Sequence, residues 1–138
     1  MSAINRFMSR GVLSPQVHGV LDYPLAAVLL AGPLVLSFDD RAATVIALIF
    51  GAGAAVLAVA TAWSTGIVKI IPPLLHGYAD VGVTLAMIVL PFAVGFSSHT
   101  TALVFYVVVG VGGLLATLAT RFESEMQVER PVALRQAA

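Results

Sequence analysis

The chain has 138 residues, 59% of them hydrophobic and only 10% charged, with a mean hydropathy of +1.01; soluble domains carry roughly 25% charged residues, so water is not the solvent this sequence is built for. Seven Lys/Arg against seven Asp/Glu leave no net charge, which excludes the basic footprint of a nucleic-acid binder. The absence of cysteine excludes disulfides, thiolate metal ligands and cysteine nucleophiles, so any site has to be built from His, Asp, Tyr, Ser, Thr or backbone.

In chain order, a polar head of about fourteen residues carries Arg6 and Arg10. The first apolar stretch runs from Pro15 to Ser37. A secretory signal has a short apolar core and a small-residue cleavage site. This stretch is long enough to span a bilayer and contains Asp22, Pro24 and Pro33, so it reads as a retained span. The second candidate is Ala42 to Ala62, the third Pro73 to Gly95 and the fourth Thr101 to Thr120, followed by a polar tail from Arg121 to Ala138. No Lys, Arg, Asp or Glu lies between Ala42 and Val68 or between Val81 and Thr120. Each candidate is close to the roughly 20 residues that cross a hydrocarbon core. The expected fold class is an all-α integral membrane four-helix bundle, one membrane domain over residues 1–138.

The chain is also written twice. At an offset of 58, Pro15 meets Pro73, His18 meets His76, Gly19 meets Gly77, Asp22 meets Asp80, Pro33 meets Pro91 and Phe38 meets Phe96, six identities in 24 positions. These residue types do specific work, unlike the Ala and Leu that coincide by composition, and they mark an internal repeat. Repeat 1 covers about 15–62 and repeat 2 about 73–120, each a helical hairpin. Two spans per unit make the repeats parallel, related by an axis along the membrane normal. Arg6, Arg10, Lys69, Arg121, Arg130 and Arg135 fall on the side of both termini and the middle loop, against Arg41 alone on the other. The positive-inside rule then predicts cytoplasmic termini in a bacterial inner membrane.

Local signals fit this plan. Pro15 and Pro73 suit a first helical turn, and Ser14 suits a cap. Pro24 has no counterpart, since Gly82 occupies that place, so a kink is expected in the first hairpin only. Ala43, Ala47, Gly51 and Ala55, and more loosely Gly110, Gly113 and Thr117, form small-residue lines for close helix packing. Trp63, Tyr23 and Tyr78 are expected toward the cytoplasmic interface. His99 reads as a solvated loop residue, aligned with Arg41.

The chemistry is concentrated in "VHGVLDY" at 17–23 and "LHGYADV" at 75–81. Spacing i, i+4 stacks His18 on Asp22 and His76 on Asp80. With the first span centred near Ala26, Asp22 lies about 6 Å and His18 about 12 Å from the midplane at 1.5 Å per residue. An ionised Asp at a helix centre costs about 2.5–3.5 kcal/mol on insertion scales, so both carboxylates are expected to point inward. Their face continues through Leu25, Leu29 and Leu36 and through Val83, Met87 and Val94, which brings spans one and three together with Gly19 and Gly77 allowing close approach. The leading reading is that the His/Asp pairs fasten the bundle core in a non-enzymatic protein. The alternatives are a divalent metal site of His18, Asp22, His76 and Asp80, a bis-histidine haem, and a proton or ion path. No GxSxG, GxxxxGK or HExxH motif is present, so no enzyme class is indicated.

The polar residue early in the odd spans (Asp22, Asp80), the proline eleven positions later (Pro33, Pro91) and the phenylalanine five after that (Phe38, Phe96) resemble the SPW-repeat type of small bacterial membrane protein, in an HxxxD variant. The tripeptide of that name is here Gly32-Pro33-Leu34 and Leu90-Pro91-Phe92. The resemblance implies a two-hairpin membrane architecture and no catalytic residue. The expected partner is the lipid bilayer, with a homo-oligomer or a membrane complex as the wider setting, and no nucleic acid.

Overall fold

A computed structural model describes residues 11–122; the expectations for Arg6, Arg10, Arg130, Arg135 and most of the polar tail fall outside the described residues. Four helices fill the range: α1 (Pro15–Val35), α2 (Arg41–Ala60), α3 (Pro73–Leu90), continued by a π-helical turn at Pro91–Gly95, and α4 (Thr100–Leu118). All four are long and apolar enough to cross a membrane. The fold is an all-α four-helix bundle, with ends within two residues of the sequence expectation.

The caps explain the starts. Ser14 Oγ accepts from the Val17 N–H at 3.3 Å, and Asp40 Oδ1 accepts from the Ala43 N–H at 2.8 Å, each satisfying a donor with no intrahelical partner. Ser37 and Gly95, which correspond at the offset of 58, both take positive φ (50° and 96°) where the first helix of each hairpin ends. For Ser37 that conformation costs about 1–2 kcal/mol, absent for glycine. The two hairpins differ in secondary structure near their far ends. α1 keeps α-helical hydrogen bonding past Pro24 and Pro33, and the irregular turn starts at Pro91 instead. A proline lacks the N–H that would close the ladder, and the wider turn is one way to re-pair the freed carbonyl.

Packing is closest within each hairpin, α1 on α2 and α3 on α4, while between hairpins α1 meets α4. Gly51 and Gly110 are the close-approach points: a Cβ on Gly51 would come within 2.8 Å of Leu30, and one on Gly110 within 3.0 Å of the Thr84 carbonyl. Ala43, Ala47 and Gly51 are buried as expected of a small-residue line, which continues at Ala58, not Ala55. Spans one and three are brought together by side chains, and Gly19 faces the Trp63 indole and Thr65, not α3. The half of the bundle remote from the connector between the hairpins, called the outer half as against the inner half beside it, closes on Leu29, Met87, Phe96, Phe105 and Tyr106, with the Tyr106 hydroxyl donating to the Ala43 carbonyl at 2.6 Å. Leu36 and Val94, expected on the core face, are both 47% exposed.

The second helices of the two hairpins correspond at an offset of 59, not 58. Ala43 matches Ala102, Gly51 matches Gly110, Gly53 matches Gly112, Thr61 matches Thr120 and Trp63 matches Phe122. The outer turn of the second hairpin is one residue longer, so His99 matches the cap residue Asp40 rather than Arg41. His99 is the solvated loop residue expected, with its side chain 38% exposed, and its Nε2 lies 3.9 Å from Asp40 Oδ2, linking the two outer turns.

Candidate functional site

At the end of the bundle where α1 and α3 begin, the four ionisable side chains meet. His18 Nε2 lies 3.4 Å from Asp22 Oδ1 and 3.0 Å from Asp80 Oδ2; His76 Nε2 lies 3.3 Å from Asp22 Oδ2 and 3.1 Å from Asp80 Oδ2. Each imidazole touches the carboxylate one turn along its own helix and the carboxylate of the other hairpin. The arrangement is reciprocal, as an approximate two-fold relation between hairpins requires. His18, Asp22 and His76 are buried, and the Asp80 side chain keeps 20% exposure.

The far nitrogens decide the tautomers. Thr61 Oγ1 donates its single proton to the Leu57 carbonyl at 2.6 Å, and Thr120 Oγ1 donates to Ala116 at 2.7 Å. Each hydroxyl has no second proton to give, so it accepts from an imidazole Nδ1–H: His76 to Thr61 at 2.7 Å and His18 to Thr120 at 2.9 Å. With Nδ1 protonated, each Nε2 turns either a lone pair or a second proton toward the carboxylates. A lone pair facing carboxylate oxygens is repulsive, so the centre of the cluster calls for positive charge, as protons or as a metal ion. His76 Nε2 and Asp22 Oδ2 are within reach of one another, yet neither has an aligned hydrogen-bond partner.

The two threonines are themselves fixed by backbone. Leu13 N–H donates to Ala119 O at 2.9 Å and Arg121 N–H to Leu13 O at 3.1 Å, forming a bridge beside Thr120. Ile71 is tied in the same way beside Thr61, with Ala62 N–H donating to Ile71 O at 2.8 Å. Trp63 and Phe122 seal this end of the cluster, with ring centroids 4.5 Å from His76 and 5.2 Å from His18. Trp63 is only 2% exposed, so its expected place at the water interface is corrected: it is a lid over the imidazoles. Tyr23 does reach the end region, donating to the Thr65 carbonyl at 2.8 Å.

One donor atom from each of His18, Asp22, His76 and Asp80 lies within 4.8 Å of the other three. A tetrahedral zinc site with bonds of about 2.0–2.1 Å has ligand-to-ligand edges of roughly 3.3–3.4 Å; the imidazole-to-carboxylate separations, counted to both oxygens of Asp22 and to Oδ2 of Asp80, are 3.0–3.4 Å, so a bound ion would draw the wider-spaced donors of the set inward. A bis-histidine haem fits badly, because the macrocycle plane would have to pass between the imidazoles where both carboxylates stand. Sequence reasoning found these four residues and missed Thr61, Thr120 and the aromatic pair. The signal was a repeated Thr-x-aromatic at 61–63 and 120–122, visible only at the offset of 59.

A family model described as SPW repeat domain matches residues 16–120, covering all four helices and not only the odd-numbered spans. Neither curated proteins nor solved structures provide a match.

Proposed function

Since the chain belongs to the SPW repeat domain family and is a multi-pass membrane protein by its four spanning helices, we propose that it binds one divalent metal ion of the zinc class through His18, Asp22, His76 and Asp80. The observation that carries the reading is four donors, one from each residue, within 4.8 Å of one another, with both Nδ1 atoms committed to threonine oxygens. Two carboxylates, two neutral imidazoles and a divalent ion sum to zero charge, which suits a site at hydrocarbon depth. Thr61 and Thr120 would then act as the outer hydrogen-bond partners that orient metal-bound imidazoles. Residues 15–62 and 73–120 are read as the two repeats of one membrane domain. Lys69 and Arg121 at the cluster end, against Arg41 at the other, favour a cytoplasmic location for that end in a bacterial inner membrane.

A second reading, fastening without metal, is favoured by the cross-hairpin contacts His18 to Asp80 and His76 to Asp22. Two protons would supply the same neutrality. Metal analysis of the detergent-purified protein separates the two, followed by cobalt substitution and a visible absorption spectrum. The metal reading expects one ion per chain and an intense tetrahedral cobalt band, both lost in His76→Ala. A protein that folds fully and yields no stoichiometric metal after incubation with zinc would leave fastening as its role.

A further inference from the structure

Below the cluster, toward the middle of the bundle, the helices leave a cavity of about 370 Å³ that opens on one side, within the size range of small-molecule sites. Leu25, Phe50, Val83 and Val109 are among its walls, Leu29 and Met87 lie at its outer end, and Asp22, Asp80 and His18 line the other. A matched pair of exposed glycines borders the space. Gly53 and Gly112 correspond at the offset of 59, both line the cavity, and a Cβ on either would have no heavy atom within 4 Å. Gly51 and Gly110 are packing contacts, whereas Gly53 and Gly112 leave room.

The polar lining is one-sided. Thr84 and Thr117 also line the cavity, and each spends its hydroxyl proton on a carbonyl of its own helix, at 2.7 Å to Asp80 O and 2.9 Å to Gly113 O. The carboxylates are acceptors, and Asp80 is the most exposed member of the cluster. Access follows from the lid: Trp63 and Phe122 close the cluster on the connector side, whereas Leu21 and Ile49, 47% and 62% exposed, carry the cavity out to the lipid-facing surface.

We propose that this cavity is a binding site for a membrane-soluble molecule with an apolar body about the size of a bicyclic ring and a single O–H head group, the head donating to the Asp80 carboxylate. The threonine protons are spent on carbonyls and the imidazole Nε2 atoms are turned to the carboxylates, so a ligand with an acceptor-only or anionic head finds no free donor and meets the carboxylates unfavourably. The inference stands apart from the metal reading, since both imidazole contacts of Asp80 use Oδ2 and the ligand's head is assigned to Oδ1.

The test uses the full chain in lipid nanodiscs and three probes of similar size: 1-naphthol, 1-methylnaphthalene and 1-naphthoate. Binding is followed by probe fluorescence. The expected result is saturable binding of 1-naphthol at one site per chain, about tenfold or more tighter than 1-methylnaphthalene, the scale of one hydrogen bond in a dry site, with 1-naphthoate weakest. Gly53→Leu and Gly112→Leu, which fill the cavity, should each weaken 1-naphthol tenfold or more. Gly82→Leu, at a position with equally open surroundings but outside the cavity, should leave it unchanged. Equal affinity for all three probes, or full binding in both filled variants, would overturn the proposal. The three-probe comparison on the unaltered protein is decisive by itself should the leucine variants not fold. Repeating it after chelation separates the two readings: naphthol binding that persists in a protein shown to take no metal keeps the cavity site while removing the metal centre.

Discussion

The outer and inner halves of this bundle are made from the same four helices and solve opposite problems. In the outer half, Phe96, Phe105 and Tyr106 fill the space between hairpins, and the buried polar group there, the Tyr106 hydroxyl, is satisfied by one carbonyl. In the inner half, four ionisable groups share a centre, two of their atoms lack aligned partners, and a cavity is left beside them. Between helices in lipid there is little hydrophobic drive, so stability comes from close packing and hydrogen bonds. The outer half supplies the first, and it allows the inner half to keep volume and unspent bonding capacity. Stability and chemistry are thus separated along the bundle axis.

That division can be broken by substitution. The largest effect is expected for His18→Ala or His76→Ala, which remove a proposed ligand and on the metal reading should abolish stoichiometric metal in elemental analysis, a loss beyond the 10–100-fold typical of an outer partner, with the outer-half packing retained. Next comes Phe105→Ala, where the cavity term of roughly 24 cal/mol per Å³ over about 100 Å³ predicts about 2.4 kcal/mol of destabilisation in a denaturant titration. Metal affinity in the protein that stays folded should be unchanged; a matching loss of affinity would show that the halves are coupled. Thr61→Val and Thr120→Val keep the shape and remove the acceptor, so each should weaken metal binding 10–100-fold in a chelator competition, with a smaller effect on stability. Smallest are the glycines. Gly53→Ala should stabilise by about 0.5–1 kcal/mol through helix propensity, because its Cβ meets nothing, whereas Gly51→Ala should destabilise through contact with Leu30.

The spans, the hairpins and the His/Asp quartet were legible because each rests on a local rule. An uninterrupted apolar run has one membrane reading, and i, i+4 spacing fixes which side chains share a face. The threonines were not legible for the same reason: Thr61 lies 15 residues from His76, and Thr120 lies 102 from His18. Only the docking of hairpins joins them. The longer outer turn of the second hairpin hid the correspondence by shifting the register, and the residues that match at the new register are mostly Ala, Gly and Val, the types that coincide by composition. Trp63 was misplaced because an aromatic ring near a span end suits the lipid interface and a buried lid equally well.

The threonine contacts also say how such a chain is divided. Thr61 closes the first hairpin yet holds the imidazole of the second, and Thr120 closes the second yet holds that of the first. Neither hairpin owns a finished centre, and each supplies what the other lacks. Two separately synthesised fragments, parted in the connector between Thr65 and Lys69, therefore carry complementary halves and should reassemble the quartet by pairing, just as two copies of a single ancestral hairpin would have done before fusion.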